Sequence, residues 1–461
     1  MPERIDVAIR GGTIVTAGSV STADLGIKDG QIVQIGGTMV ADAEIDARDK
    51  LVLPGGVDMH VHLSPVEFAG ESTSWADDFS SGSRAAAVGG VTTIGNITFP
   101  RRGESLSHVI ERVAADATRD SIVDFVLHPV LFDPSEDAIA EIPHLAQQGH
   151  TSLKIFMSIG DFDAHANDFL QAMSAAGENG VLTLIHCEDA CVISHLTQKL
   201  LASGHGDLTN YAASRPIYSE AVAVARAIAF SEAANAPIYI VHLGSAEALD
   251  TAQRARSRGL PVYVETRPIY LYFTDDEFKG PEGSLYIGNP PLRGRQDLEA
   301  LWSGLSCGSI QTCCTDHAAW TRDQKTDPTL TIATARPGMS DLETLMPLLF
   351  SKGVREGRIS LQRFVEITST NAAKLFGLFP RKGTIAIGSD ADLVIWDPEL
   401  PRVIHGAEGM SYAAYSLYEG WEVIGWPIYT LRRGEVIYAD GHITAQTGRG
   451  RLIKRGTTTK L

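Results

Sequence analysis

Long apolar runs are missing from this chain: no stretch reaches the 18 or so consecutive apolar residues of a membrane span, so none is expected. The N-terminus, MPERIDVAIRGG, passes from charges straight into strand-like alternation, without the basic, apolar and small-residue regions of an export signal. Cysteine is scarce. Cys187, Cys191, Cys307, Cys313 and Cys314 form neither an even set nor a CxxC pair, which argues against a disulfide framework and for a reducing, cytoplasmic setting. The adjacent Cys313 and Cys314 read as small buried thiols and not as a redox pair. Positive charge is short as well, with 39 Lys and Arg against 56 Asp and Glu for a formal charge of -17. That balance repels phosphate backbones and anionic membranes, so neither is an expected partner. Low-complexity segments and long flexible linkers are also absent.

What remains is a globular chain, 44% apolar over 461 residues, long enough for one large domain and a smaller one. The first fifty residues read as short strands broken by turns, among them a hairpin at Asp29-Gly30. The same texture returns in GSDADLVIWDP and GWEVIGWPIYTLRRGEVIYADGHI, so both ends are expected to build one β-sandwich, from 1–53 and 388–445, followed by a tail at 446–461. The tail is basic and polar, and is expected either to be disordered or to pack on a neighbouring subunit. Between the two halves, 54–387 alternates eight apolar strand-like runs with helical stretches such as SEAVAVARAIAFSEAANA. The runs are GVDMHVHL, VTTIGNI, SIVDFVLHPVL, TSLKIFMS, GVLTLIHC, APIYIVHL, LPVYVET and SIQTCCTD. Eight alternations predict an α/β fold, a (β/α)8 TIM barrel.

The first run carries two histidines, His60 and His62, whose spacing of two puts both on one face of a strand. Other chemistry-bearing residues fall near the ends of other runs: Lys154, His186, His242 and Asp316. A barrel gathers the C-terminal ends of its strands at one face, where barrel enzymes keep their chemistry. Four imidazoles and a carboxylate there suit zinc or a similar divalent ion. A lysine ammonium would repel such an ion, but its neutral amine could take up carbon dioxide to become an anionic carbamate with two oxygens.

This pattern resembles the amidohydrolase superfamily in its two-metal, carboxylated-lysine form. NPPLR (Asn289 to Arg293), ETRPIYLYFTDDEF, RFVEITSTNAAKLFGLFPRKGTIAIGSDADLVIWDP and YEGWEVIGWPIYTLRRGEVIYADG resemble the hydantoinase and dihydropyrimidinase family over essentially the whole chain. The resemblance implies that His60, His62 and Asp316 bind one metal and His186 and His242 the other, bridged by N6-carboxylysine at Lys154 and a hydroxide. It implies zinc first, with cobalt, manganese or nickel as alternatives, and Asp316 as the catalytic proton carrier. The activity implied is hydrolysis of a non-peptide C–N bond by the bridging hydroxide, opening a hydantoin- or dihydropyrimidine-type ring. A homotetramer or dimer is implied too.

The chain departs from the family at its substrate positions. Where the family has a tyrosine that holds the substrate carbonyl, this chain has Ile159, with Ser158 beside it as a possible replacement donor. Losing such a donor costs about a hundredfold or more in rate. Pro337 stands where dihydropyrimidinases carry asparagine and has no N–H, and Asn289 stands where serine is usual. Phe68, Trp75 and Phe99 could face an apolar ring substituent or fill loop cores; Arg101 and Arg102 could meet an anion or lie on the surface. His317 is open between a supporting hydrogen bond and a plain structural role. Two rival functions follow: hydrolysis of another amide-like bond (acyclic amide, carbamate, thiocarbamate or imide), and a non-enzymatic scaffold of the same fold.

Overall fold

The computed structural model describes residues 4–68, 71–159, 162–459 and 461, with the side chains of 67–68 and 71–73 outside that description. All eight apolar runs form strands: Gly56–Val61, Val91–Thr98, Asp124–Pro129, Ser152–Phe156, Leu182–His186, Ile238–Ile240, Val262–Thr266 and Thr312–Cys313. Parallel strands covered on both faces need side chains that are apolar in both directions, and every residue of the first, second and third is buried.

The strands close into a ring. The first three pair in parallel, as do the fourth to eighth. Bridges from Val130 to Lys154 and from Val61 to His317 join the two sets at both seams. The strand-to-helix turns are short and pinned by helix caps. Asp189, three residues after His186, caps helix Ala190–Ala202, and Ser245, three after His242, caps helix Ala246–Ser257.

Strands from both chain ends share one seven-stranded sheet, in which Leu393–Val403 lies antiparallel to Leu51–Pro54. A four-stranded sheet of the first 46 residues packs on it through Ile9, Leu25, Ile27, Ile32, Val52, Leu393, Ile395 and Leu431.

The described residues of the tail are not disordered but pack on the chain's own barrel. They lie along the lower part of the seam between the third and fourth strands. There Phe125 N–H donates to Arg451 O and Ile453 N–H to Phe125 O, both at 2.9 Å, and Arg455 N–H reaches Gly149 O at 3.0 Å. The reason is hydrogen-bond demand: main-chain groups below the Val130–Lys154 bridge need partners, and Ile453 buries its side chain in supplying them. No helix among the described residues is long and apolar enough to cross a membrane.

Candidate metal centre

His60 and His62 leave the first strand on the same side, and His60 is aimed from behind. Its Nδ1 lies 2.7 Å from Glu265 Oε1 of the seventh strand. That carboxylate is itself held by the His242 N–H and the Tyr239 hydroxyl, each at 2.9 Å. His60 Nε2 is thereby left facing Asp316 Oδ1 at 3.3 Å, and His62 Nε2 is 2.9 Å from the same oxygen. Donors bound at 2.0–2.1 Å to a tetrahedral zinc lie roughly 3.3 Å apart, so these three atoms are spaced as ligands of one ion. Buried Asp58 accepts from His60 N–H at 3.1 Å and from the Thr315 hydroxyl at 2.6 Å, which ties the end of the first strand to that of the eighth.

The remaining candidates gather beside them. The rings of His186 and His242 are 4.6 Å apart, and His242 is 5.5 Å from His60. His186 Nε2 meets Glu188 Oε2 at 2.8 Å, which leaves its Nδ1 for another partner, and Arg215 anchors Glu188 at 2.7 Å. Lys154 is buried, and its charge weighs on His62, His186 and His242 alike. Among the described residues, Lys154 Nζ, His62 Nδ1 and His242 Nδ1 find no hydrogen-bond partner. A lysine amine buried without a partner beside four imidazoles and a carboxylate is the feature a carbamate held between cations would explain.

Electrostatics keep the imidazoles ready to act as ligands. Burial pulls His62 down to about 4 against the opposing pull of Asp316, and it drives His242 well below its ordinary value. It lowers His186 too, with Glu188 pulling back. Burial brings Lys154 down to about 8, partly opposed by Asp316 and Glu265. For Asp316, burial alone would raise the carboxyl, but Arg267, His60 and His62 hold it well below the usual range. Arg267, itself buried, donates Nη1 to Asp316 Oδ2 at 2.8 Å.

Glu265, Arg267, Asp58 and Glu188 were missed by the sequence reading. Their signal was present, since each is a charge inside or beside an otherwise apolar strand run: VYVETRP, GVDMHV, LIHCED. Phe99 stacks 5.7 Å from His62 and 6.0 Å from Phe156, and Trp75 lies 5.4 Å from His62. Both therefore wall the site. The side chain of Phe68 lies outside the described residues. Ser158 and Ile159 are partly buried just past the fourth strand. The Asn289 amide oxygen accepts from the Tyr211 hydroxyl at 2.5 Å. The Pro337 carbonyl accepts from Trp320 Nε1 at 2.8 Å, so its main chain has one polar group and that one is engaged. Arg101 and Arg102 are exposed. His317 bonds Asp77 Oδ2 at 2.9 Å and takes the Asp341 N–H at 3.2 Å, a structural tie between two loops.

A parallel barrel with histidines, a lysine and an aspartate converging at its C-terminal face is the architecture of a metal-dependent hydrolase. A sequence model of the amidohydrolase family matches residues 51–437, and the chain belongs to that family. It is 40% identical over 459 residues to a D-hydantoinase of Ralstonia pickettii, covering 98% of this chain and 99% of that one. Two solved structures are similar over their whole length. A D-hydantoinase from Bacillus sp. AR9 has a TM-score of 0.94 at 39% identity, covering 99% and 100% of the two chains. A dihydropyrimidinase from Brevibacillus agri NCHU1002 has a TM-score of 0.95 at 37% identity, covering 98% and 99%.

Proposed function

We propose that this chain is a binuclear metal-dependent cyclic amidase that adds water across a ring amide C–N bond of a hydantoin or dihydropyrimidine, releasing an N-carbamoyl amino acid. The observation that carries the reading is the convergence of His60, His62, His186, His242, Lys154 and Asp316 in one buried cluster, in which His60, His62 and Asp316 are spaced as ligands of one ion. The names of the relatives supply the ring class.

His60, His62 and Asp316 would hold one ion, and His186 and His242 the other, with carboxylated Lys154 between them. Zinc suits this nitrogen and oxygen set best; cobalt, manganese and nickel remain alternatives. When bound, the ions supply polarisation of the ring carbonyl and ionise water near neutral pH. The protein supplies the rest. Asp316 takes the proton of the attacking water and passes it to the ring nitrogen as the C–N bond breaks. Arg267, fixed on its outer oxygen, keeps the inner one turned to the imidazoles. Glu265 and Glu188 orient His60 and His186. Phe99 and Trp75 form an apolar wall on which a ring can rest and from which water is excluded. Ser158, Ile159, Asn289, Pro337 and Phe68 would complete the substrate side.

A second reading is favoured by Ile159 and Pro337, which remove two polar contacts from that side: hydrolysis of an acyclic amide, carbamate, thiocarbamate or imide. The intact ligand set stands against a non-enzymatic scaffold. Turnover of dihydrouracil, hydantoin, phenylhydantoin, allantoin, a cyclic imide and an acyclic carbamate, with metal measured on the same sample, separates the three. Ring opening supports the first reading. Silence on all rings with two ions bound moves the function to another amide-like bond, and failure to take up metal revives the scaffold.

A homo-oligomer, tetramer or dimer, is part of the same proposal. On helix Ala190–Ala202, Leu201 is exposed and Val192, Ile193 and Leu196 are only half-buried. On the neighbouring helix Ile217–Ala234, Tyr218 and Val222 are exposed. Such an apolar face fits a second subunit, and light scattering after gel filtration would test it.

A further inference from the structure

Lys325 is buried, lies outside the proposed ion cage and has no part in the chemistry above. It ends the short helix Arg322–Lys325, whose start is fixed by reciprocal bonds between Thr321 and Gln324. Its Nζ donates to two main-chain carbonyls, Ile287 at 2.8 Å and Gly338 at 2.6 Å. Burial holds this amine well below the ordinary lysine range. Two of its N–H groups are taken by these carbonyls.

These carbonyls belong to the two loops on the substrate side: Ile287 lies two residues before Asn289, and Gly338 directly follows Pro337. The loops also touch directly, with Gly338 N–H donating to Ile287 O at 3.0 Å. Their position relative to Asp316 is fixed by further ties. Trp320 Nε1 holds Pro337 O, and Arg267 Nη2 reaches Met339 Sδ at 2.7 Å while Nη1 holds Asp316. Gly338 has φ 122°, and a Cβ there would lie 2.3 Å from the Ala318 carbonyl oxygen. The loop is therefore pressed against the segment leaving Asp316, in a conformation that glycine alone adopts readily.

An amine is costly to bury unless its N–H groups are used. If Lys325 only filled space, an apolar side chain of similar length would serve. We propose that Lys325 is a positioning residue: by clipping the Ile287 and Gly338 carbonyls it sets the separation of the two loops that receive the substrate ring. It thereby governs ring binding and not bond breaking. This rests on the cyclic amidase reading, which makes these loops a substrate site.

The test uses the metal-loaded, full-length protein as wild type, Lys325→Met and Lys325→Gln. The readouts are kcat and KM on hydantoin and dihydrouracil, metal content, and amide hydrogen exchange of residues 286–290 and 336–341. Lys325→Met removes both hydrogen bonds and is expected to raise KM by roughly tenfold or more, with kcat within about threefold, full metal and faster exchange in both loops. Lys325→Gln, a shorter donor, should fall between. Wild-type KM with wild-type exchange in Lys325→Met overturns the proposal, as does a fall in kcat at unchanged KM. If Lys325→Met does not fold, Lys325→Gln decides: raised KM with faster loop exchange supports the clip, and wild-type values overturn it. If the wild type opens none of the rings in the panel above, the amidase reading fails. The exchange data then still decide whether the clip exists, and with unchanged loops it falls too.

Discussion

Asp316 offers its two oxygens to different partners, Oδ1 to His60 and His62 and Oδ2 to Arg267. Because the pair is buried, removing the guanidinium leaves an oxygen without either solvent or a partner. Arg267→Met is therefore expected to lower kcat by about ten- to a hundredfold with metal content unchanged. Arg267→Lys restores charge but not the planar fork and should recover only part. Steady-state kinetics with metal analysis on one preparation checks this, and wild-type kcat in the methionine variant would remove Arg267 from the site's workings. Lys154 makes the opposite prediction. Lys154→Ala should lose metal and activity together, and short-chain carboxylic acids should restore part of both by standing in for the carbamate. A variant that keeps its full metal content would exclude the lysine from the cage.

At the scale of elements, the barrel strands were legible because parallel strands buried on both faces must be nearly continuous in β-branched and apolar residues. VTTIGNIT, DFVLHP and LTLIH stand out for that reason. Strand ends were less legible. The alternation rule puts His60 and His62 on one face, but the sixth strand stops at Ile240 and the eighth at Cys313. His242 and Asp316 lie beyond them at φ 39° and 49°, left-handed conformations that non-glycine residues adopt at a cost and that active sites collect. Periodicity has no purchase there. Nor does any spacing rule join Glu265 to His60, Arg267 to Asp316, or Lys325 to Ile287 and Gly338, since each pair meets only when the ring closes. Ring closure also fixes where bulk is forbidden. A Cβ at Gly95 of the second strand would lie 2.4 Å from His128 Nε2 and 2.8 Å from Met59 Cα. Gly95→Ala should therefore destabilise the protein by about 2 kcal/mol, read as a lower denaturant midpoint at unchanged slope.

Across the whole molecule, barrel and sandwich are joined by buried and half-buried cations, with Arg432 and Arg433 reaching Ile122 O and Asp124 and Lys382 set among three carboxylates. Asp124 at the start of the third strand lies close to Asp390 and Asp392, which lead into Leu393–Val403. The three could hold a cation, and the ammonium of Lys382 occupies that role. It lies 2.8 Å from Asp124 Oδ2 and 3.3 Å from Asp390 Oδ2, with Asp392 closer still. Lys382→Met leaves these carboxylates buried together without it and should cost about 3–5 kcal/mol, measured by denaturant unfolding.

The tail was illegible as a buried element because its composition is that of a surface segment, and its place depends on a barrel seam that no local pattern reveals. Its docking gives it a dependence on pH. Arg455 donates to Leu127 O at 3.3 Å and Ser152 Oγ at 2.8 Å. Buried His150 is pulled down to about 4, first by burial and then by Arg455 and Lys454. With the tail released, His150 would return towards its ordinary value near 6.5, so the released state takes up the proton first as pH falls. Docking should be unaffected above about pH 7, weaken as pH drops below about 6.5, and change no further below about 4, where both states are protonated. Hydrogen exchange of residues 449–459 should thus show more opening at pH 5 than at pH 7.5, once the intrinsic pH dependence of exchange is removed. His150→Gln should flatten the difference, and a slope that survives in that variant would assign the acid sensitivity to another group.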